Sequence, residues 1–193
     1  IGLGDSVAYL DDGVSGVASN DGIEVFDGKL SWKELTSKKE FAQKDGYRFF
    51  MEKEIFEQSD IIKQTLLGRV KNDTIKFDEI EPSFLDDITN IEFCACGTSY
   101  HACLSASYLF PRLAKIKTYT NIASEFRYSD SILDKNTLFV VVSQSGETAD
   151  TLEALKKAKK ANVKTLAICN VDNSSITRLS DAYILTRAGK IGR

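Results

Sequence analysis

The sequence is poor in the residues that build metal centres. It has a single histidine, His101, and four cysteines, Cys94, Cys96, Cys103 and Cys169. Cys94-Ala95-Cys96 places one residue between its thiols, not the two of the common metal and redox motifs. The cysteines sit in apolar patterns, where a free thiol behaves as a small hydrophobe, so reduced core thiols are expected and no metal or disulfide. Proline is also scarce. Pro82 and Pro111 are the only two, and neither falls inside a stretch that reads as a strand. No apolar run approaches the roughly 20 residues a membrane helix needs, and no signal peptide is evident; the expectation is a soluble, cytoplasmic protein with no membrane partner. No block of positive charge stands out either. The 25 basic residues are interspersed with 28 acidic ones for a net charge of −3, which argues against a nucleic-acid partner. GxxxxGK[ST] and GxGxxG are both missing, which argues against ATP, GTP and dinucleotides.

At 193 residues, 42% of them hydrophobic and 27% charged, the chain has room for one full domain and part of another. It opens on Ile1-Gly2-Leu3-Gly4 and stops at Arg193, and both ends read as cut. Residues 1–45 read as β-structure. Asp11-Asp12-Gly13, Asn20-Asp21-Gly22 and Asp27-Gly28 punctuate short apolar runs, the pattern of a small meander. Such a meander buries little core alone. Residues 37–46, rich in lysine, read as a linker. A helix follows, with Met51, Ile55, Ile62, Leu66 and Val70 as its apolar stripe.

From about residue 90, strands and helices alternate. Strands are predicted at 91–96, 116–120, 137–142, 163–169 and 182–186. Helices are predicted at 99–113 (apolar face Ala102, Ala106, Leu109 and Leu113) and 147–161, a short helix or turn at 123–128 and a short helical turn at 175–180. Alternation of this kind implies right-handed crossovers, hence a three-layer α/β domain with a five-stranded parallel sheet and helices on both faces.

Ligands of open parallel sheets bind beyond the carboxyl ends of the strands. Two such ends carry small hydroxyl residues with glycine: Cys96-Gly97-Thr98-Ser99 and Ser143-Gln144-Ser145-Gly146-Glu147-Thr148. Each leads into a helix, whose first turn offers unpaired N–H groups and the positive end of the dipole to a phosphate. Serine, threonine and glycine also occupy helix caps and turns for purely local reasons. Thr98 and Ser99 alone read as a cap more readily than as a ligand site; the two loops together tip the reading to binding of a phosphate monoester. Glu147 and Asp150 in the first turn, with Lys156, Lys157, Lys159 and Lys160 toward the end, suit the helix dipole and need no function. An acid–base role for Glu147 stays open. His101 reads as solvent-facing, and Glu125 and Arg127 as either a local pair or groups reaching toward the sheet edge.

Four stretches then carry a resemblance, in order and spacing: Cys96-Gly97-Thr98-Ser99-Tyr100, Ala123-Ser124-Glu125-Phe126-Arg127-Tyr128, the run from Ser143 to Thr151, and Ala167-Ile168-Cys169-Asn170. They resemble the glutamine–fructose-6-phosphate aminotransferase (glucosamine-6-phosphate synthase) family over about residues 47–190, and residues 50–58 look like the helix that opens its isomerase region. The resemblance implies a sugar-isomerase (SIS) domain with a flavodoxin-like sheet over residues 46–193, truncated at its C-terminal end. Residues 1–45 would be the tail of the glutaminase domain and a linker. It further implies a reaction that makes glucosamine 6-phosphate and glutamate from fructose 6-phosphate and glutamine, without cofactor. Thr98, Ser99, Ser143, Gln144, Ser145 and Thr148 would bind the sugar phosphate. The family's acid–base residues lie outside this chain, so no catalytic residue is assigned and the fragment alone is expected to be inactive. A homodimer or larger homo-oligomer is expected. Lys190-Ile191-Gly192-Arg193 departs from the family, which usually has a glutamate before Ile-Gly. The competing readings are a sugar-phosphate-sensing SIS regulatory module and a packing or dimerisation unit. The β-rich start, without a helix-turn-helix pattern, speaks against the first, and the hydroxyl-rich loops against the second.

Overall fold

A computed structural model describes residues 6–11, 13–20, 22–34 and 45–189. The expectations for residues 1–4, for most of the 37–46 linker and for the departure at 190–193 lie outside the described residues. The chain divides into two compact units, with the boundary in sequence between Asp45 and Gly46.

The first unit holds four short strands: β1 (Ser6–Ala8), β2 (Gly16–Ser19), β3 (Gly22–Val25) and β4 (Trp32–Glu34). β2 and β3 form the hairpin that Asn20-Asp21-Gly22 signals, closing at Ser19 opposite Gly22. The expected meander does not extend to the flanking strands, because β1 pairs with β4 rather than with β2. None of these strand residues is buried, as two-stranded ribbons have too little surface to enclose a side chain.

The second unit opens with α1 (Phe50–Leu66). The stripe read from its sequence is not the buried face. Met51, Ile55, Ile62 and Leu66 are exposed, while Phe50, Glu54, Glu57, Ile61 and Thr65 are half-buried. Val70 is not helical: it lies in β5 (Val70–Lys71), paired with β6 (Thr74–Ile75). Asn72 and Asp73 turn that hairpin with φ of 49° and 59°, the positive values a two-residue turn of this hand demands and asparagine and aspartate tolerate. Arg69, 5% exposed, clasps this region to the far edge of the main sheet. Its guanidinium donates to Thr65 O (3.2 Å), to Glu79 Oε1 (2.6 Å) and to Leu185 O (2.6 Å).

A 3-10 turn (Pro82–Leu85) leads into β7 (Asn90–Ala95), α2 (Gly97–Leu113), β8 (Lys117–Ile122), α3 (Ala123–Phe126), β9 (Thr137–Ser143), α4 (Ala149–Lys160), β10 (Lys164–Cys169), α5 (Ser175–Leu179) and β11 (Ala182–Leu185). The five strands form one sheet in the order β11-β10-β9-β7-β8, and every pairing is parallel. Counted along the chain that is the order 2-1-3-4-5, the flavodoxin-like winding. The three-layer α/β expectation therefore holds.

Side chains alternate across each strand, so β9 feeds two cores. Phe139 and Val141 join Cys94, Phe126, Leu155 and Ile176 beneath α3, α4 and α5. Leu138 and Val140 join Ile91, Phe93, Cys103 and Leu166 beneath α2. The face that α2 lays on the sheet is Tyr100, Cys103, Ala106 and Phe110, not the stripe through Ala102, Leu109 and Leu113 that periodicity suggests; Leu109 and Leu113 are exposed. This helix is apolar on more than one side, and periodicity alone does not choose the side. Phe139 is fully buried, its ring centroid 5.0 Å from that of Phe126. Phe139→Ala is expected to cost about 3–5 kcal/mol, read as a lower urea midpoint.

Candidate functional site

After β7 the chain adds β8 on one side; it then returns to place β9 on the other side of β7. The helices follow suit. α2 packs on one face of the sheet and α4 on the other. Adjacent parallel strands whose connections leave in opposite directions open a crevice at their carboxyl ends. Ala95 is in register with Val142, so β7 and β9 end level. The 96–99 and 143–148 loops are thereby neighbours on one rim. The Thr151 hydroxyl, in the first turn of α4, lies 3.9 Å from Cys96 Sγ.

Both helices start without a side-chain cap. Cys96 is the N-cap of α2 and Thr148 that of α4, and neither side chain accepts a capping bond. Thr98 and Ser99 lie inside the first turn of α2, and no side-chain hydrogen bond engages them among the described residues. The reading of these hydroxyls as local caps thus has no geometry behind it. The first-turn N–H groups of both helices lack partners within the helix, and the positive ends of two dipoles approach one crevice.

The 143–148 loop is internally tied. The Gly146 N–H donates to Ser143 Oγ (3.1 Å), the Ser143 and Thr148 hydroxyls share a hydrogen bond (3.2 Å), and the Glu147 N–H donates to Ser145 Oγ (3.2 Å). Gly146 has φ +68°. A Cβ there would meet Ser174 Oγ at 2.0 Å, Ser174 Cβ at 2.4 Å and Cys169 Sγ at 2.9 Å. Gly97 also has positive φ (56°), but a Cβ there would meet nothing within 4 Å. One glycine is required by packing and backbone together, the other by backbone alone.

The remaining candidates fall as follows. Glu147 precedes the N-cap and is not in the first turn of α4, which begins at Ala149; Asp150 is. The helix starts two residues later than expected because Glu147 still belongs to the loop and Thr148 is the N-cap. Arg127 pairs with Asp150 (2.5 Å), an alternative to the local Glu125 pair, and its guanidinium lies over the Tyr128 ring. His101 is exposed with its ring against Tyr100. Cys94, Cys103 and Cys169 are buried and Cys96 half-buried, all unpaired. Burial pushes the Cys103 thiol up to about 11 and the Cys94 thiol higher still, so neither is a nucleophile at neutral pH. Among the described residues no cluster of histidine, cysteine, aspartate or glutamate has the makings of a metal site, and no helix is long and apolar enough to cross a membrane.

Sequence reasoning missed the residues that hold the rim from behind. The Asn170 amide N–H donates to Gln144 O (3.2 Å), and the Ile176 N–H to Gly146 O (3.1 Å). The Asn170 side chain binds Thr186 Oγ1, the Ala188 N–H and Gly189 O, organising the segment after β11. These are contacts between different strand ends, and no local pattern announces them.

Fold and crevice together define a class: three-layer α/β domains of flavodoxin-like order with an open crevice at the switch point. Within that class the chain belongs to the SIS domain family, whose model matches residues 84–192. It is 52% identical to a glutamine–fructose-6-phosphate aminotransferase (isomerizing) of Campylobacter jejuni, over 98% of this chain and 32% of the relative. A protein of the same description from Legionella pneumophila is 45% identical over 95% of this chain and 32% of its own length. Among solved structures, the C-terminal domain of glucosamine-fructose-6-phosphate aminotransferase from Francisella tularensis superposes with a TM-score of 0.74 at 44% identity. That match covers 78% of this chain and 43% of that one. Glucosamine-6-phosphate deaminase from Thermotoga maritima follows with a TM-score of 0.61 at 27% identity, over 74% and 41% of the two chains. The chain spans about a third of the length of the curated relatives it matches.

The two glycines give a graded prediction. Gly97→Ala is expected to cost about 1–2 kcal/mol, the strain of a left-handed residue. Gly146→Ala adds a clash to that strain and is expected to cost about 2–5 kcal/mol. Equal losses in denaturant melts would contradict the packing of Gly146 on Ser174.

Proposed function

We propose that the crevice between β7 and β9 binds the phosphate of a hexose phosphate. Thr98 and Ser99 act on one side, and Ser143, Gln144, Ser145 and Thr148 on the other. The observation that carries this reading is the convergence of two helix starts, uncapped by side chains, on adjacent strand ends. Amide N–H groups and hydroxyls are the donors a dianionic ester requires, and the dipoles add favourable potential without a lysine. The names of the relatives at 45–52% identity support fructose 6-phosphate as the sugar.

On this reading the full-length protein takes nitrogen from the amide of glutamine, leaving glutamate, and delivers it to fructose 6-phosphate to yield glucosamine 6-phosphate. Residues 46–193 are the first SIS domain of the isomerase region, and residues 1–45 the tail of the glutaminase domain with its linker. This chain contributes substrate grip and no assigned acid or base. The reading carries with it a cytoplasmic homo-oligomer. A regulatory sensing module is disfavoured by the names of the relatives and by the first unit, whose described residues are strands and turns.

Titration of the full-length protein with fructose 6-phosphate tests the site. Ser145→Ala and Thr148→Ala each remove a hydroxyl facing a charged group and are expected to weaken binding by about 1.5–3 kcal/mol, roughly 10- to 150-fold. Unchanged affinity in both variants would reduce these hydroxyls to turn formers and overturn the assignment.

A further inference from the structure

The proposed ligand loop contains one acidic side chain, and its placement calls for an explanation. A carboxylate beside a bound phosphate would repel it. Glu147 Oε1 instead accepts the N–H of Ser175, the first residue of α5, at 2.7 Å. α5 packs on the face of α4, and the strand feeding it, β10, flanks β9 on the side away from β7. The carboxylate is thus turned toward β10, while the crevice lies toward β7.

The same segment meets the loop at four further points. Gln144 O accepts the Asn170 N–H (3.2 Å) and lies 3.6 Å from Cys169 Sγ. Gly146 O accepts the Ile176 N–H (3.1 Å). Gly146 itself sits so close to Ser174 that no side chain fits between them. Those contacts run through the loop's backbone. Glu147 is the side chain by which the 143–148 loop is fastened to α5.

We propose that Glu147 is a positioning residue. It clamps the 143–148 loop onto the start of α5, aims the loop's N–H and hydroxyl donors at the crevice, and keeps its own negative charge on the opposite side. This inference rests on the reading that the loop binds a phosphate. It assigns Glu147 no proton transfer.

The test uses Glu147→Ala and Glu147→Gln in the full-length protein, with amide exchange of the ligand-free state and titration with fructose 6-phosphate. Glu147→Ala is expected to speed exchange at Ser175 by about tenfold and to weaken the sugar phosphate by about tenfold, the scale of one charge-assisted hydrogen bond. Glu147→Gln keeps an acceptor oxygen and is expected to recover both to within about threefold, the smaller loss of a neutral bond. Exchange and affinity in Glu147→Ala equal to those of the unsubstituted protein would overturn the clamp. So would loss of turnover in Glu147→Gln with affinity intact, which would make Glu147 an acid or base. Failure of the unsubstituted protein to bind fructose 6-phosphate would sink the phosphate reading, and exchange at Ser175 would still decide the clamp.

Discussion

Two parallel strands, β7 and β9, lie side by side and hand the chain to helices on opposite faces of the sheet. The site depends on that divergence. Helices leaving on the same side would cover the strand ends, whereas helices leaving on opposite sides uncover a slot and bring two positive dipole ends to it. Because β7 and β9 end in register, the two hydroxyl-rich loops stand at one height, as the proposal of one shared phosphate requires. The buried pattern of β9, with apolar side chains on both faces, fixes this arrangement: it must lie in the middle of the sheet with helices on either side.

The rim is braced from the β10 side. Asn170, Cys169, Ser174 and the start of α5 contact the back of the 143–148 loop, and Gly146 is the point of closest approach. A loop held only by its own Ser143, Ser145 and Thr148 hydrogen bonds would lose ordering entropy each time it gripped a ligand. Docking it on a packed segment removes part of that cost ahead of the proposed binding.

The helical faces show the limit of periodicity. α1 and α2 both have the apolar spacing of helices, and both are helices. In α2 the face turned to the sheet, and in α1 the half-buried face, is not the face the spacing picks out. In α1 the half-buried line runs through Phe50, Glu54, Glu57, Ile61 and Thr65, with Ile61 against Gly189. A helix with apolar residues on several sides states that it has a partner but not which side meets it.

Strand and helix identity in the 90–186 region was legible to within two or three residues, because alternating β-branched runs and amphipathic stretches are local chemistry. So were the hairpin at Asn20-Asp21-Gly22 and the rim loops, where Gly, Ser and Thr follow apolar strands. The β5–β6 hairpin was missed although Asn72-Asp73 marks it, since Val70 also satisfied a helical spacing. Local chemistry was enough for an alternating α/β chain with two hydroxyl-rich loops at strand ends. The tertiary structure alone decided that β9 returns beside β7, that both helix starts are free of side-chain caps, and that Glu147 reaches Ser175. Those are relations between segments far apart in sequence, set by which faces pack together, and no window of local residues contains them.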